Sequence, residues 1–203
     1  MTSVPCDYPG SLDHLLQPGL RLVFIGYNPA IYSAEAGHYY ARPGNRFWVH
    51  LSQSGIAGRP VSPGDDRRLP AEAGIGFTDL CCRPTVRAEH LTAEEIRAGA
   101  LRLHRELRQF QPAIVCFSGR GIYQHFARHA LGLSPRELAR RPYGEQPERI
   151  GATIPWVIPS SSGLASRWHR ERLEWLHRLR EALDALGLPA PRAPSPLADP
   201  APR

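Results

Sequence analysis

Four short apolar runs alternate with stretches of helical periodicity along this chain of 203 residues. The runs occupy residues 20–25, 74–80, 113–119 and 153–159, and each is short enough to be one buried strand. Strands that alternate with helices build a parallel or mostly parallel sheet with helices on both faces. The sequence therefore predicts an α/β fold, a single three-layer α/β/α sandwich with a mostly parallel central sheet.

Local signals indicate where the helices begin and end. Leucines at positions 12, 15 and 16 have spacings compatible with a short amphipathic helix that packs on the domain. Asn45 is a candidate N-cap, and residues 92–95 (Thr-Ala-Glu-Glu) form a capping box. Pro155 in the last apolar run indicates an edge strand or a bulge, because proline cannot donate to a sheet ladder.

The length of the chain suffices for one domain with a real core, which we expect to span residues 1–188. Residues 189–203 are rich in Pro and Ala without periodicity, which predicts a disordered tail. No secretory signal and no apolar run long enough to cross a bilayer is present. We expect a cytoplasmic monomer with no membrane partner.

The charge and cysteine content narrow the chemistry further. The formal net charge is +6, and every one of the 25 basic Lys or Arg residues is an arginine. A basic excess suits a nucleic-acid partner without proving one, and the absence of lysine excludes a lysine Schiff base. Cys6, Cys81, Cys82 and Cys116 lack the spacing of an iron–sulfur or other metal site, so we expect free thiols and no metal or cofactor.

The segment from Gly26 to Trp48 follows the first predicted strand and is unusually rich in aromatic side chains. In open α/β sheets, loops at the carboxyl ends of strands converge on the ligand-binding crevice. Proline 29 holds the preceding Asn28 in an extended conformation, so the asparagine side chain has a defined direction. A loop with this many rings is suited to a flat ligand.

The motifs of this segment resemble a known family. They are residues 26–29 (Gly-Tyr-Asn-Pro), 33–34 (Ser-Ala), 37–40 (Gly-His-Tyr-Tyr) and 43–48 (Pro-Gly-Asn-Arg-Phe-Trp). Together they resemble the first motif of the mismatch-specific uracil/thymine-DNA glycosylases, a branch of the uracil-DNA glycosylase superfamily. The resemblance extends from Leu20 to about Leu186 and implies the same three-layer sandwich, with the motif loops along one edge.

Two residues are candidates for catalysis. Cleavage of a base–sugar bond passes through an oxocarbenium-like sugar and an anionic base, and it needs a positioned water. The resemblance implies that the Asn28 carbonyl positions this water. Without the resemblance, the ordinary interpretation of Asn28 would be an Asx turn. Asp79 stands where the family usually has lysine or asparagine. Its carboxylate either activates the water or stabilises the sugar cation, or it forms a salt bridge with Arg83 or Arg87 or caps the next turn. The sequence leaves these roles open.

The resemblance also implies a base pocket and a DNA-inserting loop. Tyr40 matches the ring that stacks on the extruded base, although core packing is the commoner role of an aromatic. Gly26, the Tyr27 main chain and Ser33 would line the same pocket. Residues 158–167 resemble the loop whose leucine fills the space of the flipped nucleotide. Its matching residues are Ser162, Gly163, Leu164 and Arg167, although serines at a helix start can equally serve as N-caps.

The sequence therefore predicts a monofunctional DNA glycosylase that takes double-stranded DNA containing uracil or another mismatched or altered pyrimidine. It would flip uracil, above all uracil opposite guanine, hydrolyse the N-glycosidic bond and leave an abasic site. A catalytically weak module that binds damaged DNA is the alternative. A nucleotide-binding protein unrelated to repair is disfavoured, since no Gly-x-Gly-x-x-Gly or P-loop pattern occurs.

Overall fold

The structure is a computed structural model that describes residue 6 and residues 8–161 and 169–191. Its strands are β1 (Leu22–Gly26), β2 (Ile75–Asp79), β3 (Ile114–Phe117), β4 (Gly144–Glu145) and β5 (Ile154–Val157). Its α-helices are α1 (Ile31–Ala36), α2 (Phe47–Ser54), α3 (Leu69–Ala73), α4 (Ala93–Phe110), α5 (Arg120–Ala130), α6 (Pro135–Ala139) and α7 (His169–Ala185). Single 3₁₀ turns cover Pro63–Asp65 and Ala88–His90.

The five strands form one sheet in the order β2-β1-β3-β5-β4, parallel except for the short β4. Strand β1 pairs with β2 on one side and with β3 on the other, so the chain changes direction across the sheet at β1. Such a switch point opens a crevice at the carboxyl ends of the strands. The predicted α/β fold with a mostly parallel sheet is confirmed.

Successive residues of β1 point to opposite faces of the sheet, and each face has its own core. Leu22 and Phe24 belong to a cluster with residues of α2 and α7, including Phe47 and Leu179. Val23 and Ile25 belong to a second cluster, with residues of α4 and α5. All four of these β1 side chains are fully buried. Apolar residues in an unbroken run therefore fit a strand that is covered on both faces.

Residues 11–17, called the N-terminal segment below, form no helix, so the predicted amphipathic helix is wrong. Leu15 exchanges two backbone hydrogen bonds with Phe77 of β2, at 2.8 and 3.2 Å. Leu12, Leu15 and Leu16 are all buried, which confirms their packing role. Spacings of three and four residues suit a helix, but the open edge of β2 offered unpaired backbone groups that an extended segment satisfies.

Other local expectations had mixed outcomes. The capping box at Thr92 is present, with the Thr92 hydroxyl accepting from the Glu95 amide. Asn45 accepts from the Phe47 amide at 3.0 Å and so serves the start of α2. Pro155 does not lie on an edge strand, because β4 pairs along the outer side of β5. Of the predicted tail, residues 192–203 lie outside the described residues.

The cysteines differ from the expectation of four free thiols. Cys6 and Cys82 form a disulfide between Cα atoms 6.3 Å apart, although 76 positions separate them in sequence. The N-terminal segment brings them together at the end of β2, which spacing along the chain does not reveal. Cys81 and Cys116 are free and buried. Within the described residues, no helix is long and apolar enough to span a membrane.

Gly99 of α4 supports a direct test of the helix–sheet contact. A Cβ atom at Gly99 would lie 2.0 Å from the Leu80 carbonyl oxygen, so Gly99→Ala forces backbone to move. We expect it to lower the free energy of unfolding by more than about 1 kcal/mol, measured by urea denaturation. Gly121→Ala is the matched control, since nothing lies within 4 Å of its Cβ position. That change should be neutral or stabilise by up to about 1 kcal/mol; equal losses in both variants would contradict the close contact.

Candidate active site

A cavity of about 330 Å³ opens at the carboxyl ends of β1, β2 and β3. The six residues proposed for catalysis and the base pocket all line it: Gly26, Tyr27, Asn28, Ser33, Tyr40 and Asp79. The switch point at β1 is the reason, because it places the ends of three strands side by side. The cavity therefore coincides with the crevice expected from the sequence.

Hydrogen bonds donated by the side-chain nitrogen of Asn28 fix the orientation of its amide. Its Nδ2 donates to the Arg83 carbonyl at 2.8 Å and to the Thr85 hydroxyl at 2.7 Å. It also approaches the Pro29 carbonyl at 3.3 Å. Among the residues that the structure describes, nothing donates to the Asn28 side-chain oxygen. The amide thus tethers the loop after β2 and leaves its oxygen available to a ligand or a water.

Asp79 ends β2 and is buried, with 5% of its surface exposed. Burial raises the pKa of its carboxyl group to about 7, and the nearby Arg102 guanidinium offsets only part of this rise. Neither of the salt bridges considered from sequence is formed in the described structure. Arg83 pairs with Glu95 instead, with 2.9 Å between Arg83 Nη2 and Glu95 Oε2. A half-ionised carboxyl group at neutral pH is suited to proton transfer.

Gly26 lies directly beneath the Asp79 carboxylate. The two residues are register partners of the β1–β2 pairing. A Cβ atom at Gly26 would lie 2.0 Å from Asp79 Oδ1 and 3.4 Å from the Tyr40 hydroxyl. The absence of a side chain at position 26 therefore makes the space that the carboxylate occupies.

Tyr40 packs against the core and also lines the cavity, so the core-packing interpretation holds and stacking on a base stays a prediction. Its ring stacks on Phe47 with centroids 3.9 Å apart and an interplanar angle of 13°. Its hydroxyl lies 3.2 Å from the Ser118 hydroxyl, and burial raises the pKa of the phenol. The backbone of Tyr40 is left-handed, with φ of 53°, which a non-glycine residue adopts only where its surroundings hold it.

The remaining pocket residues are placed as follows. Ser33 is buried in α1. The Tyr27 carbonyl accepts from the Cys81 amide at 2.9 Å, and the Tyr27 ring meets His125 edge-on. Ser118, Ser160 and Ser161 also line the cavity. Sequence reasoning missed Ser118 as a site residue, although its position at the end of the third apolar run was a usable signal.

The loop predicted to enter DNA is only partly visible. Ser162, Gly163, Leu164 and Arg167 lie outside the described residues. The residues just before them, Ser160 and Ser161, border the cavity. The start of the second motif therefore reaches the same crevice as the first motif.

Arg172 is a further charged group, which lies behind Ser160 at the border of the cavity. The sequence alone did not identify it. It is 1% exposed, and its Nε donates to the Ser160 carbonyl at 3.2 Å. Its two terminal nitrogens have no hydrogen-bond partner among the described residues. Burial, with a smaller effect of Arg46, lowers the pKa of the guanidinium to about 10. A buried guanidinium with only one of its nitrogens paired within the described chain is costly.

The family comparison agrees with this geometry. The family model of the uracil DNA glycosylase superfamily matches residues 14–184. That range contains all five strands, both catalytic candidates and the whole described cavity lining except Leu12. Membership of this superfamily implies hydrolysis of base–sugar bonds in DNA. The chain, with Asn28 and Asp79 facing one crevice at the sheet's switch point, belongs to the uracil DNA glycosylase superfamily.

Proposed function

We propose that this protein is a monofunctional, mismatch-specific uracil-DNA glycosylase that acts on uracil in duplex DNA, above all opposite guanine, and leaves an abasic site. The observation that carries the proposal is the pairing of two different oxygen groups across one cavity. Asn28 has a side-chain oxygen that accepts no hydrogen bond from the described residues, and Asp79 has a buried carboxyl group with a pKa of about 7.

Hydrolysis needs a water that attacks the anomeric carbon while the base departs as an anion. In this proposal the Asn28 oxygen orients the water and the Asp79 carboxylate takes its proton. The carboxylate also stabilises the positive charge that develops on the sugar. Backbone N–H groups near Gly26 to Asn28 donate to the departing base. An amide alone is too weak a base at neutral pH, so the aspartate supplies what the asparagine lacks.

Tyr40 receives the flipped base in this proposal. Its ring is backed by Phe47 and anchored through Ser118, so little conformational freedom is lost on stacking. Stacking of a base on an aromatic ring contributes on the order of 1–3 kcal/mol.

The proposed preference for mismatches rests on the resemblance of residues 158–167 to the family's wedge loop, with Leu164 filling the space that the flipped nucleotide vacates.

The alternative is a module that binds damaged DNA without cutting the base–sugar bond. Incubation with a duplex that contains one U:G pair, followed by alkali, distinguishes the two because alkali cleaves DNA at abasic sites. Cleavage at the uracil position supports the enzyme. Tight binding of that duplex without cleavage supports the binding module.

Asp79→Asn should lower the single-turnover rate of uracil release by about 10²- to 10⁴-fold, the usual contribution of a general base. The variant keeps the shape of the side chain but cannot take a proton. Its stability should not fall, because it removes a carboxyl group that burial disfavours in ionised form. Thermal denaturation serves as the control. An unchanged rate in a folded variant would exclude Asp79 from the chemistry.

The pH dependence gives an independent test of the same group. If the ionised Asp79 is the active form, the single-turnover rate should rise with pH and level off above about pH 7. The contribution of Asp79 to stability should change in the opposite direction. A raised pKa means that the folded state holds its proton more tightly, so this group's stabilisation is lost as pH rises from about 4 to about 7. Asp79→Asn should flatten the rate profile and remove this contribution from the stability profile, as a comparison of the two proteins measures.

Arg172→Met should raise the melting temperature, because it replaces a buried guanidinium whose two terminal nitrogens have no partner among the described residues with an apolar chain of similar length. If Arg172 binds a DNA phosphate, the same variant should bind duplex DNA more weakly and with a shallower salt dependence, by about one counterion. Arg180→Met on the same helix is the control, since Arg180 is half-exposed and pairs with Asp184. Lower stability together with unchanged binding would mean a purely structural role for Arg172.

A further inference from the structure

A cluster of three metal-ligating side chains lies outside the cavity, where the N-terminal segment meets the end of β2. Cys6, His14 and Cys82 place their ligand atoms within 4.8 Å of one another. Cys82 Sγ is 3.5 Å from His14 Nε2. In the structure the two sulfurs are joined as a disulfide. None of the three residues lines the candidate active site.

The histidine is oriented as a metal ligand would be. His14 is 1% exposed, and its Nδ1 lies 2.5 Å from the Thr78 hydroxyl. A proton on Nδ1, shared with Thr78, leaves the Nε2 lone pair facing Cys82. Metal-ligating histidines are commonly held in this way through their other ring nitrogen.

The backbone around the cluster is fixed from both sides. Leu15, next to His14, pairs with Phe77 of β2 through two backbone hydrogen bonds. The Ser11 hydroxyl donates to the Cys82 carbonyl at 2.6 Å. Two segments far apart in sequence are thus held together by protein hydrogen bonds, so little ordering is left for an ion to induce.

We propose that, when the disulfide is reduced, Cys6, His14 and Cys82 bind one Zn²⁺ ion. Two thiolates and one imidazole are a zinc ligand set, with a water in the fourth position. Bond lengths of about 2.3 Å to sulfur and about 2.0 Å to nitrogen place the two atoms roughly 3.5 Å apart in a tetrahedral site. The separation of Cys82 Sγ from His14 Nε2 already has this value.

The chemistry balances with an ordinary thiol reductant. Two thiol molecules reduce the Cys6–Cys82 disulfide to two protein thiols and are themselves oxidised to one disulfide. Zn²⁺ then displaces the two thiol protons, which pass to water. Both cysteines are partly exposed, so a reductant and an ion can reach them. The disulfide and the zinc complex are mutually exclusive states of one site.

Arg102 is the charged group that faces this cluster. Its Nη1 lies 3.2 Å from His14 Nε2 and 2.6 Å from Glu106 Oε2. A guanidinium repels a free cation but favours thiolates over thiols, and two thiolates neutralise the ion. Metal binding therefore requires Arg102 to give up its contact with His14 while it keeps Glu106. The Arg102 Nη2 bond to the Asp79 carbonyl, 2.6 Å long, connects the cluster to the end of β2.

The test measures zinc bound by the full-length chain, a readout that does not depend on glycosylase activity. The protein is reduced with a phosphine under nitrogen, incubated with Zn²⁺, desalted, and assayed for zinc per chain. Co²⁺ in a parallel sample reports thiolate ligands by its sulfur-to-metal absorption. We expect one ion per reduced chain, none in the oxidised chain, and at least about tenfold weaker binding in Cys82→Ser and Cys6→Ser.

Cys81→Ser is the matched control, because Cys81 is the neighbour of Cys82, is free, and has its thiol directed to the Glu95 carbonyl. It should bind zinc like the wild type. Cys6→Ser, near the N-terminus, keeps the test decisive if Cys82→Ser fails to fold. Absence of zinc in the reduced wild type, equal zinc in the oxidised chain, or equal loss in Cys81→Ser would overturn the proposal. If the protein releases uracil but binds no zinc, the zinc site is rejected and the proposed glycosylase function is not affected.

Discussion

The pairing of β1 with a parallel neighbour on each side is the constraint on which the site depends. It brings Gly26, Asp79 and Ser118, from three separated parts of the chain, to one edge of the sheet. Main-chain hydrogen bonds of the ladder hold these positions, so the cavity needs no ligand to form. Register is decisive as well: a shift by one residue would turn the Asp79 side chain to the other face of the sheet.

Burial changes the proton affinity of the Asp79 carboxyl group at this position. A carboxyl group in water is fully ionised at neutral pH and is a weak base, whereas burial raises the pKa of Asp79 to about 7. The space for it exists because position 26 has no side chain. The side-chain nitrogen of Asn28, by contrast, already donates to Arg83 and Thr85, and these hydrogen bonds fix the direction of its oxygen. In the proposed mechanism, Asp79 accepts a proton and Asn28 orients the water.

The N-terminal segment connects this site to the rest of the surface. It covers the free edge of β2 through Leu15, and it carries His14, together with the preceding Cys6, to the loop after Asp79. Arg102 contacts His14 and also the main chain of Asp79. The position of the strand end at Asp79 is therefore supported from both the sheet and this outer segment.

The sequence by itself determined the fold class, the positions of four of the five described strands, the motif loop with Asn28 and Tyr40, and the strand end at Asp79, because period, capping and local motifs are properties of neighbouring residues. It did not determine that Leu15 extends along β2, that Cys6 meets Cys82, or that Arg172 is buried behind Ser160. Nor did it decide between a salt bridge and a buried carboxyl group for Asp79. Those outcomes depend on which distant segments share a surface, and burial and pairing energies exist only once the tertiary structure has brought them together.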